Sequence, residues 1–345
     1  MSKPRINTME ELAVAIGVSR PTLSRFFQDP GLVKPNTVER IEKGLAQVEY
    51  VPNFFATRLN RKSTGMIGVI IPYLNDLFFT KLLEAVESAA MDAGLTVITQ
   101  CSHSNPAIEA RAAETFMSMN VDGALVAPLG DHSDKAVHLR LKSRIPFVMM
   151  DSRPKSMHNV DFVGTNHRQS TGLITEYLCR VGDPPVFLAM PRVNFNALER
   201  EAAYVAQMQE MGFEPEVIGT EQFGESGHFE EHGFAVLDDA FGRRRLTNRS
   251  ILCVNDRVAI GALRAAARHG LVPSRGAKGG LRIAGHDDYP LCPYLEPALT
   301  TVAQDTDAIG KKAVSRLLQI IAGEVADDRP EITLFDGHLI LRESA

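Results

Sequence analysis

The stretch AVAIGVSRPTLSR, residues 13–25, decides the fold of the N-terminal part of the chain. Gly17 is typical of a helix end. Ser19 is a helix-capping residue, and Pro21 is tolerated in the first helical turn. The stretch therefore predicts one helix that ends at Gly17 and a second that continues to Phe27. Two short helices joined by a glycine-containing turn form a helix-turn-helix.

The flanking residues complete a small domain. Thr8 and Glu11 form a capping box that starts the first helix. A third helix, predicted over Pro35 to Val48, presents Val38, Ile41 and Leu45 to the first two helices. These apolar side chains predict a three-helix unit with one small core.

The second helix has an exposed N-terminal face that suits nucleic acid. Arg20, Thr22, Ser24 and Arg25 lie there without an intervening acid, and such side chains bind base edges and phosphates. An ordinary solvated helix face is the alternative. Residues 1–62 carry ten Lys and Arg against six Asp and Glu, which gives +4 and leaves −9 of the total of −5 for the remainder. A basic head on an acidic body predicts a polyanionic partner for the head alone.

The segment YVPNFFATRLNRKST, residues 50–64, combines an apolar stripe with several cations and no acid. About two turns of helix are unstable alone in water. We therefore expect a coil that folds when nucleic acid and a second copy of the segment cover it. A solvated linker is the alternative.

From residue 66 onward, apolar strands alternate with amphipathic helices, which predicts parallel sheets. The pattern restarts near residue 164, so we expect two doubly wound lobes. The predicted domains are a headpiece (1–51), a hinge helix (52–64) and a core (65–345). Within the core, the N-terminal lobe is predicted at about 65–163 and 304–330, and the C-terminal lobe at about 164–303 and 331–345.

Polar and aromatic residues follow several predicted strands. Ligands of such folds bind at the carboxyl ends of the strands, so these residues predict a site between the lobes. Carboxylates and amides bind sugar hydroxyls, and aromatic rings cover the apolar face of a sugar. Each residue alone is also a common helix cap or turn residue. Arg153, Arg192 and His286 raise the alternative of an acidic ligand such as a sugar acid, although salt bridges explain them as well.

The spacing AxxxGVSxxTxSR, followed by YVPN and the two-lobe pattern, resembles the LacI/GalR (lactose-repressor) family over the whole chain. The resemblance implies an N-terminal all-α helix-turn-helix headpiece plus an α/β periplasmic-binding-protein-like core of two doubly wound parallel-sheet lobes. It implies a homodimeric repressor that binds a near-palindromic double-stranded DNA operator under the control of a sugar, polyol or sugar acid. Pro21 departs from the family pattern, so Arg20 and Arg25 are expected to determine more of the base specificity. Lys34 is a second departure.

The resemblance also implies the site residues. In the hinge, Asn53 and Ala56 would contact the minor groove, and Leu59 would wedge into the central base step. The dimer interface would use the first helices and strands of the N-terminal lobe, around Leu82 to Met91, and part of the C-terminal lobe. The implied DNA-binding residues are Thr8, Ser19, Arg20, Pro21, Thr22, Ser24, Arg25, Asn53, Ala56 and Leu59. The implied effector-binding residues are Asp76, Phe78, Phe79, Asp151, Arg153, Arg200, Phe223, Asn255, Asp287 and Gln304.

The sequence gives less support to other classes of protein. No apolar run reaches the length of a membrane helix and no signal peptide is recognisable, which predicts a cytoplasmic protein. HFEEH at 228–232 matches a zinc-protease pattern, but neither a third ligand nor an embedding helix is evident, so no metal, cofactor or catalytic residue is expected. A periplasmic binding protein would share the lobes without the head. An enzyme acting on a nucleotide sugar would need phosphate-binding glycines or a catalytic base.

Overall fold

The computed structural model describes residues 3–53, 63–130, 133–190, 195–220, 228–247, 249–275, 280–325 and 330–345. The chain divides into two compact units, Met1–Gly65 and Met66–Ala345. Phe54 to Lys62, which include Ala56 and Leu59 of the predicted hinge, lie outside the described residues, as do Arg192 and Phe223. No helix in the described ranges has both the length and the apolar character needed to cross a membrane.

The first unit is the predicted three-helix headpiece. Its helices are α1 (Met9–Ile16), α2 (Arg20–Gln28) and α3 (Pro35–Gln47). Thr8 and Ser19 cap α1 and α2 by accepting from backbone N–H groups, and Gly17 ends α1 at a φ of 74°. The core is formed by Leu12, Ala13, Leu23, Phe26 and Ile41, with Val38 and Leu45 packed against it. The predicted covering role of the third helix is therefore confirmed.

The first lobe of the second unit is built on a six-stranded parallel sheet in the order β11-β5-β4-β3-β1-β2. Its strands are β1 (Met66–Ile71), β2 (Thr96–Cys101), β3 (Gly123–Val126), β4 (Phe147–Met150), β5 (Phe162–Thr165) and β11 (Ile332–Phe335). Its helices are α4 (Leu77–Asp92), α5 (Pro106–Met119), α6 (Lys135–Arg144) and α11 (Thr306–Ile321). The buried strands β1, β3, β4 and β5 are almost wholly apolar, as expected for a parallel sheet covered on both faces.

The second lobe contains a four-stranded parallel sheet in the order β7-β6-β8-β9 and an antiparallel pair, β10 with β12. Its strands are β6 (Val186–Leu188), β7 (Glu216–Ile218), β8 (Ser250–Cys253), β9 (Arg282–Ala284), β10 (Thr301–Ala303) and β12 (His338–Ile340). Its helices are α7 (His167–Val181), α8 (Phe195–Glu210), α9 (Phe229–Gly242) and α10 (Asp256–Arg268). Isolated parallel bridges from Ala284 to Thr300 and from Asp287 to Ala303 join the pair to the edge of the larger sheet.

The structure corrects several sequence predictions. Residues 332–335 were assigned to the second lobe, but β11 pairs with β5 of the first, so the last segment is shared between the lobes. Its half-exposed alternation suits the edge of either sheet, which explains the error. Helices α6, α9 and α11 were not predicted. Leu82 is buried in the core of its own lobe and is not available to a partner, whereas Met91 is exposed.

Candidate functional site

A polar cavity lies between the two lobes at the carboxyl ends of their strands. Eight of the ten predicted effector residues line it: Asp76, Phe78, Phe79, Asp151, Arg200, Asn255, Asp287 and Gln304. The cavity encloses about 670 Å³ of empty space counted with its open mouth. Contacts between the two lobes cross it, from Arg257 and Tyr289 to Asp76.

Asp76 connects the lobes from the first turn of α4. Its carboxylate caps that helix by accepting from the N–H of Phe78 at 3.0 Å. It also accepts from the hydroxyl of Tyr289 at 2.5 Å and faces a guanidinium nitrogen of Arg257 at 3.2 Å. Burial raises the pKa of Asp76, against the hydrogen bond from Tyr289 and the charge of Arg257. The residue is therefore both a helix cap and the centre of a cross-lobe network.

Arg257 is held in place from the second lobe. Glu230 accepts from two of its nitrogens at 2.6 and 2.8 Å, and the guanidinium lies 4.8 Å from the centre of the Phe229 ring. This pairing requires α9 and α10 to approach closely. A Cβ on Gly261 would lie 2.0 Å from the carbonyl oxygen of Glu230, so the glycine permits the approach.

Asp287 lies at the opposite wall of the cavity, after β9. Its carboxylate pairs with Arg200 at 2.9 Å and accepts from the amide of Gln304 at 2.7 Å. Gln304 in turn accepts from the hydroxyl of Thr165 on β5. Burial raises the pKa of Asp287, while Arg200 acts in the opposite direction. The carboxylate is thus oriented by fixed donors and exposes its remaining acceptor capacity to a ligand.

Asp151 follows β4 and carries a buried carboxyl, the third carboxyl that lines the cavity. Its backbone is left-handed, with a φ of 64°, and its side chain accepts from the amide of Asn196 at 2.9 Å. Burial raises the pKa of Asp151 to about 7, although the nearby Arg200 lowers it. Left-handed backbone at a residue other than glycine is uncommon and clusters at binding sites.

Aromatic rings form the apolar wall. Phe78 and Phe79 meet edge to face with centroids 5.2 Å apart, and Tyr73 meets Phe229 in the same way at 6.5 Å. The hydroxyl of Tyr73 is buried and has no hydrogen-bond partner among the described residues. A buried polar atom without a partner is costly, so this hydroxyl is available to a ligand.

Two predicted residues do not lie at this cavity as expected. Arg153 lines a second cavity, with its guanidinium 5.2 Å from the centre of the Phe162 ring. The left-handed turn at Asp151 carries the chain away from the interlobe cavity before residue 153. His286, predicted near the cleft, is 2% exposed and bonds to Ser170 and Asp287 behind it.

The cavity also contains residues that the sequence reasoning missed. Tyr73 and Phe229 line it, while Arg257 and Tyr289 orient Asp76 from the other lobe. Tyr73 lies at the predicted end of β1, so its position offered a usable signal. Asn255, by contrast, was predicted, and it both caps α10 and lines the cavity.

The arrangement favours binding of a neutral polyhydroxylated molecule. Carboxylates and amides supply acceptors, Arg200 supplies a donor, and the aromatic rings supply an apolar face. The described residues contain no cluster of His, Cys, Asp or Glu that could hold a metal ion. The sequence reasoning was wrong that no helix embeds the HFEEH stretch, because α9 does. However, His228 bonds to Glu231 at the helix start, while His232 is buried against the carbonyl of Ala189.

The headpiece presents its predicted residues on the described surface. Arg20, Pro21 and Arg25 are exposed on α2, Asn53 is exposed beyond α3, and Thr22 and Ser24 are half-buried. The Thr22 hydroxyl lies 2.8 Å from that of Ser19, and Arg20 pairs with the exposed Glu10 at 2.5 Å. Such an exposed ion pair contributes little, so DNA phosphates or bases can replace Glu10.

Comparison with known proteins agrees with both parts of the chain. Residues 8–53 match the family "Bacterial regulatory proteins, lacI family", and residues 185–345 match the family "Periplasmic binding protein-like domain". The chain is 27% identical over 326 residues to the HTH-type transcriptional regulator MalR of Streptomyces coelicolor, covering 92% of this chain and 91% of that protein.

Two solved structures share the fold. The crystal structure of the Lac repressor dimer bound to operator and the anti-inducer ONPF has a TM-score of 0.82 at 24% identity, over 99% of each chain. A complex of the transcriptional regulator CelR with cellobiose has a TM-score of 0.67 at 22% identity, covering 98% of this chain and 99% of that one. Residues 8–53 therefore match a lacI-family helix-turn-helix domain and residues 185–345 a periplasmic-binding-protein-like domain, and the chain as a whole is similar to HTH-type transcriptional regulators.

Proposed function

We propose that this protein is a dimeric, cytoplasmic repressor of transcription and not an enzyme, and that a small neutral polyhydroxylated ligand between the lobes controls its affinity for operator DNA. The observation that supports the proposal best is one chain that combines a helix-turn-helix with an interlobe cavity of oriented carboxylates, amides and aromatic rings. The relatives named above support it: MalR is described as a transcriptional regulator, the Lac repressor as a dimer bound to operator and an anti-inducer, and CelR as a transcriptional regulator in complex with cellobiose.

In the proposed complex, α2 enters the major groove of each operator half. Ser19 and Thr8 at the helix starts contact phosphates, while Arg20, Pro21, Thr22, Ser24 and Arg25 face the bases or the adjacent backbone. Arginine binds guanine through two hydrogen bonds, so Arg20 and Arg25 carry most of the specificity. The paired hinges, with Asn53, Ala56 and Leu59, occupy the central minor groove.

The ligand would enter by replacing cross-lobe contacts with its own hydroxyls. Asp76, Asp151 and Asp287 accept from these hydroxyls, Asn255 and Gln304 complete the polar set, and the rings of Phe78 and Phe79 cover an apolar face. Because Arg257 and Tyr289 of the second lobe already hold Asp76 of the first, a ligand that replaces these contacts changes the separation of the lobes.

That change is the proposed signal to the hinge. The lobe angle sets the distance between the two hinge segments of the dimer, and their separation decides whether they fold in the minor groove. A ligand shifts this equilibrium only by the difference between its affinities for the two lobe arrangements. Whether the ligand weakens or strengthens operator binding therefore depends on which lobe arrangement it prefers.

Thermal unfolding of the purified full-length protein against neutral sugars, polyols, sugar acids and purines tests the ligand class. A ligand at a hundred times its Kd stabilises the folded state by about 2.7 kcal/mol, which raises the unfolding midpoint measurably. Any ligand found is then added to an operator-binding assay, with its chemical conversion followed in parallel. Turnover of the ligand without an effect on DNA would overturn the proposal in favour of an enzyme.

Leu59→Ala tests the hinge separately. Loss of the wedging side chain is expected to weaken operator binding while ligand affinity stays at the wild-type value. Equal losses of operator and ligand binding would contradict the proposed division of labour between hinge and cavity.

A further inference from the structure

A second cavity lies beside the interlobe site, at the N-terminus of α7. It is formed between the edge of the first lobe, with Phe162 and Leu334, and the second lobe, with His167, Phe195 and Glu199. It encloses about 1390 Å³ of empty space counted with its open mouth, against about 670 Å³ for the interlobe cavity. None of the predicted effector residues except Arg153 lines it.

His167 is the first sign that this cavity is a binding site. Its side chain is 4% exposed, and Nδ1 accepts from Nε of Arg200 at 3.3 Å. Burial, with Arg200 and His286, holds the pKa of His167 well below its ordinary value, although the Asn196 amide acts in the opposite direction. The ring is therefore neutral, and because Nδ1 accepts, Nε2 carries the proton.

This Nε2–H group is buried, and no described residue accepts from it at hydrogen-bond distance and angle; the Asn196 amide, which raises the pKa of His167, does not meet both conditions. His167 lines the second cavity but not the interlobe one. A buried donor without an acceptor destabilises the protein, and a ligand acceptor in the cavity would remove that cost. His167 is also the first residue of α7, where backbone N–H groups lack partners within the helix and favour an anion.

The charges and rings around the cavity suit an anion with an apolar body. Arg153, Lys155 and Arg168 are basic, and Glu199 is the one carboxylate among the described lining residues. Burial raises the pKa of Glu199, against the charge of Arg153. Lys155 lies 5.3 Å from the centre of the Phe195 ring, and Arg153 lies 5.2 Å from the centre of the Phe162 ring. The cavity thus combines an excess of positive charge with two aromatic faces.

We propose that this cavity is a second ligand site, which binds a small organic anion through His167 Nε2, the start of α7 and the Arg153 and Lys155 side chains, with its apolar body between Phe162 and Phe195. Phosphate esters and aromatic carboxylates share the required chemistry. The site is distinct from the neutral-ligand site proposed between the lobes, and anion binding does not require a ligand at that site.

His167 also connects the two sites. A proton donated from Nε2 to an anion makes Nδ1 a stronger acceptor for Arg200, and Arg200 pairs with Asp287 in the interlobe cavity. Occupation of one site therefore changes the affinity of the other, and the effect is reciprocal.

Isothermal titration of the full-length protein with phenyl phosphate, benzoate, inorganic phosphate and benzyl alcohol tests the proposal. Saturable binding is expected for the first two compounds, weaker binding for inorganic phosphate and none for benzyl alcohol. Phenyl phosphate binding above benzoate identifies phosphate esters as the ligand class, and the reverse order identifies carboxylates. Absence of saturable binding by all three anions would overturn the proposal.

Variants locate the bound anion. Arg153→Ala and Lys155→Ala are each expected to weaken phenyl phosphate binding about tenfold, since hydrogen bonds to charged groups contribute about 1.5–3 kcal/mol. Arg264→Ala removes an exposed cation elsewhere in the lobe and should not change the affinity. Unchanged binding in both cavity variants, or an equal loss in the Arg264 control, would show that the anion binds elsewhere or nonspecifically.

Two substitutions of His167 separate its contacts. Asparagine keeps an acceptor near the position of Nδ1 but has no donor that reaches the second cavity, whereas glutamine places an N–H near the position of Nε2. Phenyl phosphate affinity is expected to fall about tenfold in His167→Asn and to recover in part in His167→Gln. Equal phenyl phosphate affinities in the two variants would show that Nε2 of His167 does not contact the anion.

Discussion

The raised pKa of Asp151 predicts a pH dependence of stability that a single substitution removes. Burial raises this pKa from an ordinary value of 3.8 to about 7. The folded state therefore binds the Asp151 proton more tightly than the unfolded state does. The contribution of this group to stability is fully present below pH 4 and is lost as the pH rises to about 7. At about 1.4 kcal/mol for each pH unit, the loss amounts to about 4 kcal/mol.

Asp151→Asn removes the titration with little change of shape. Asparagine can accept from Asn196 as the carboxylate does, and it tolerates the left-handed backbone at φ 64°. We expect the variant to be more stable than the wild type at pH 8, and the difference in unfolding free energy to grow by up to about 4 kcal/mol between pH 4 and pH 8.

Urea unfolding of both proteins at equal protein concentration, from pH 4.5 to pH 8, measures this difference. Burial also raises the pKa of Asp256 to about 7, but that titration is common to both proteins and largely cancels. Asp183→Asn, at an exposed carboxylate, is the matched control and should give a flat difference. A flat difference for Asp151→Asn, or lower stability than wild type at pH 8, would refute the assignment of the raised pKa.

Three further substitutions test the contacts that the site and the headpiece depend on. Tyr289→Phe removes the cross-lobe hydrogen bond to Asp76 and is expected to lower the free energy of unfolding by about 1–3 kcal/mol. It should also open the cleft, which X-ray scattering would detect as a larger radius of gyration. An unchanged radius would show that this hydrogen bond does not hold the lobes together. Asp287→Asn should abolish calorimetric binding of the interlobe ligand while operator binding persists, and retained ligand binding would exclude Asp287 from the site. Arg20→Ala should weaken operator binding by about 1–3 kcal/mol and relax the sequence preference at one base pair. Arg40→Ala on α3 should not alter the sequence preference. An unchanged sequence preference in Arg20→Ala would show that Arg20 contacts a phosphate.

Local signals in the sequence were reliable where neighbouring residues decide the structure. Thr8, Ser19 and Gly17 bound the headpiece helices as predicted, because capping depends on backbone groups three or four residues away. The strand ends likewise brought Asp76, Asp151 and Asp287 to one cavity, because parallel strands present their carboxyl ends at the same edge.

Contacts between segments that are distant in the sequence could not be predicted from such local signals. Arg257 and Asp76 are 181 residues apart, and nothing in the local pattern of either predicts their pairing. The position of Arg153 depends on one left-handed residue, Asp151, whose conformation is set by tertiary contacts. Strand β11 pairs with β5 of the first lobe. The alternation of its side chains fits the edge of either sheet and therefore does not predict which sheet it joins.

The distribution of charge between the two cavities argues against an acidic ligand between the lobes. Asp76, Asp151 and Asp287 all have raised pKa values there, so the interlobe space already resists further negative charge. Of the basic residues that suggested a sugar acid, Arg153 lines the other cavity and His286 is buried behind Asp287. A neutral polyol instead donates hydroxyl protons to these carboxylates and stabilises their ionised forms. Its binding should therefore release protons and strengthen as the pH rises toward 7, whereas an anion that binds beside His167 should not compete with it.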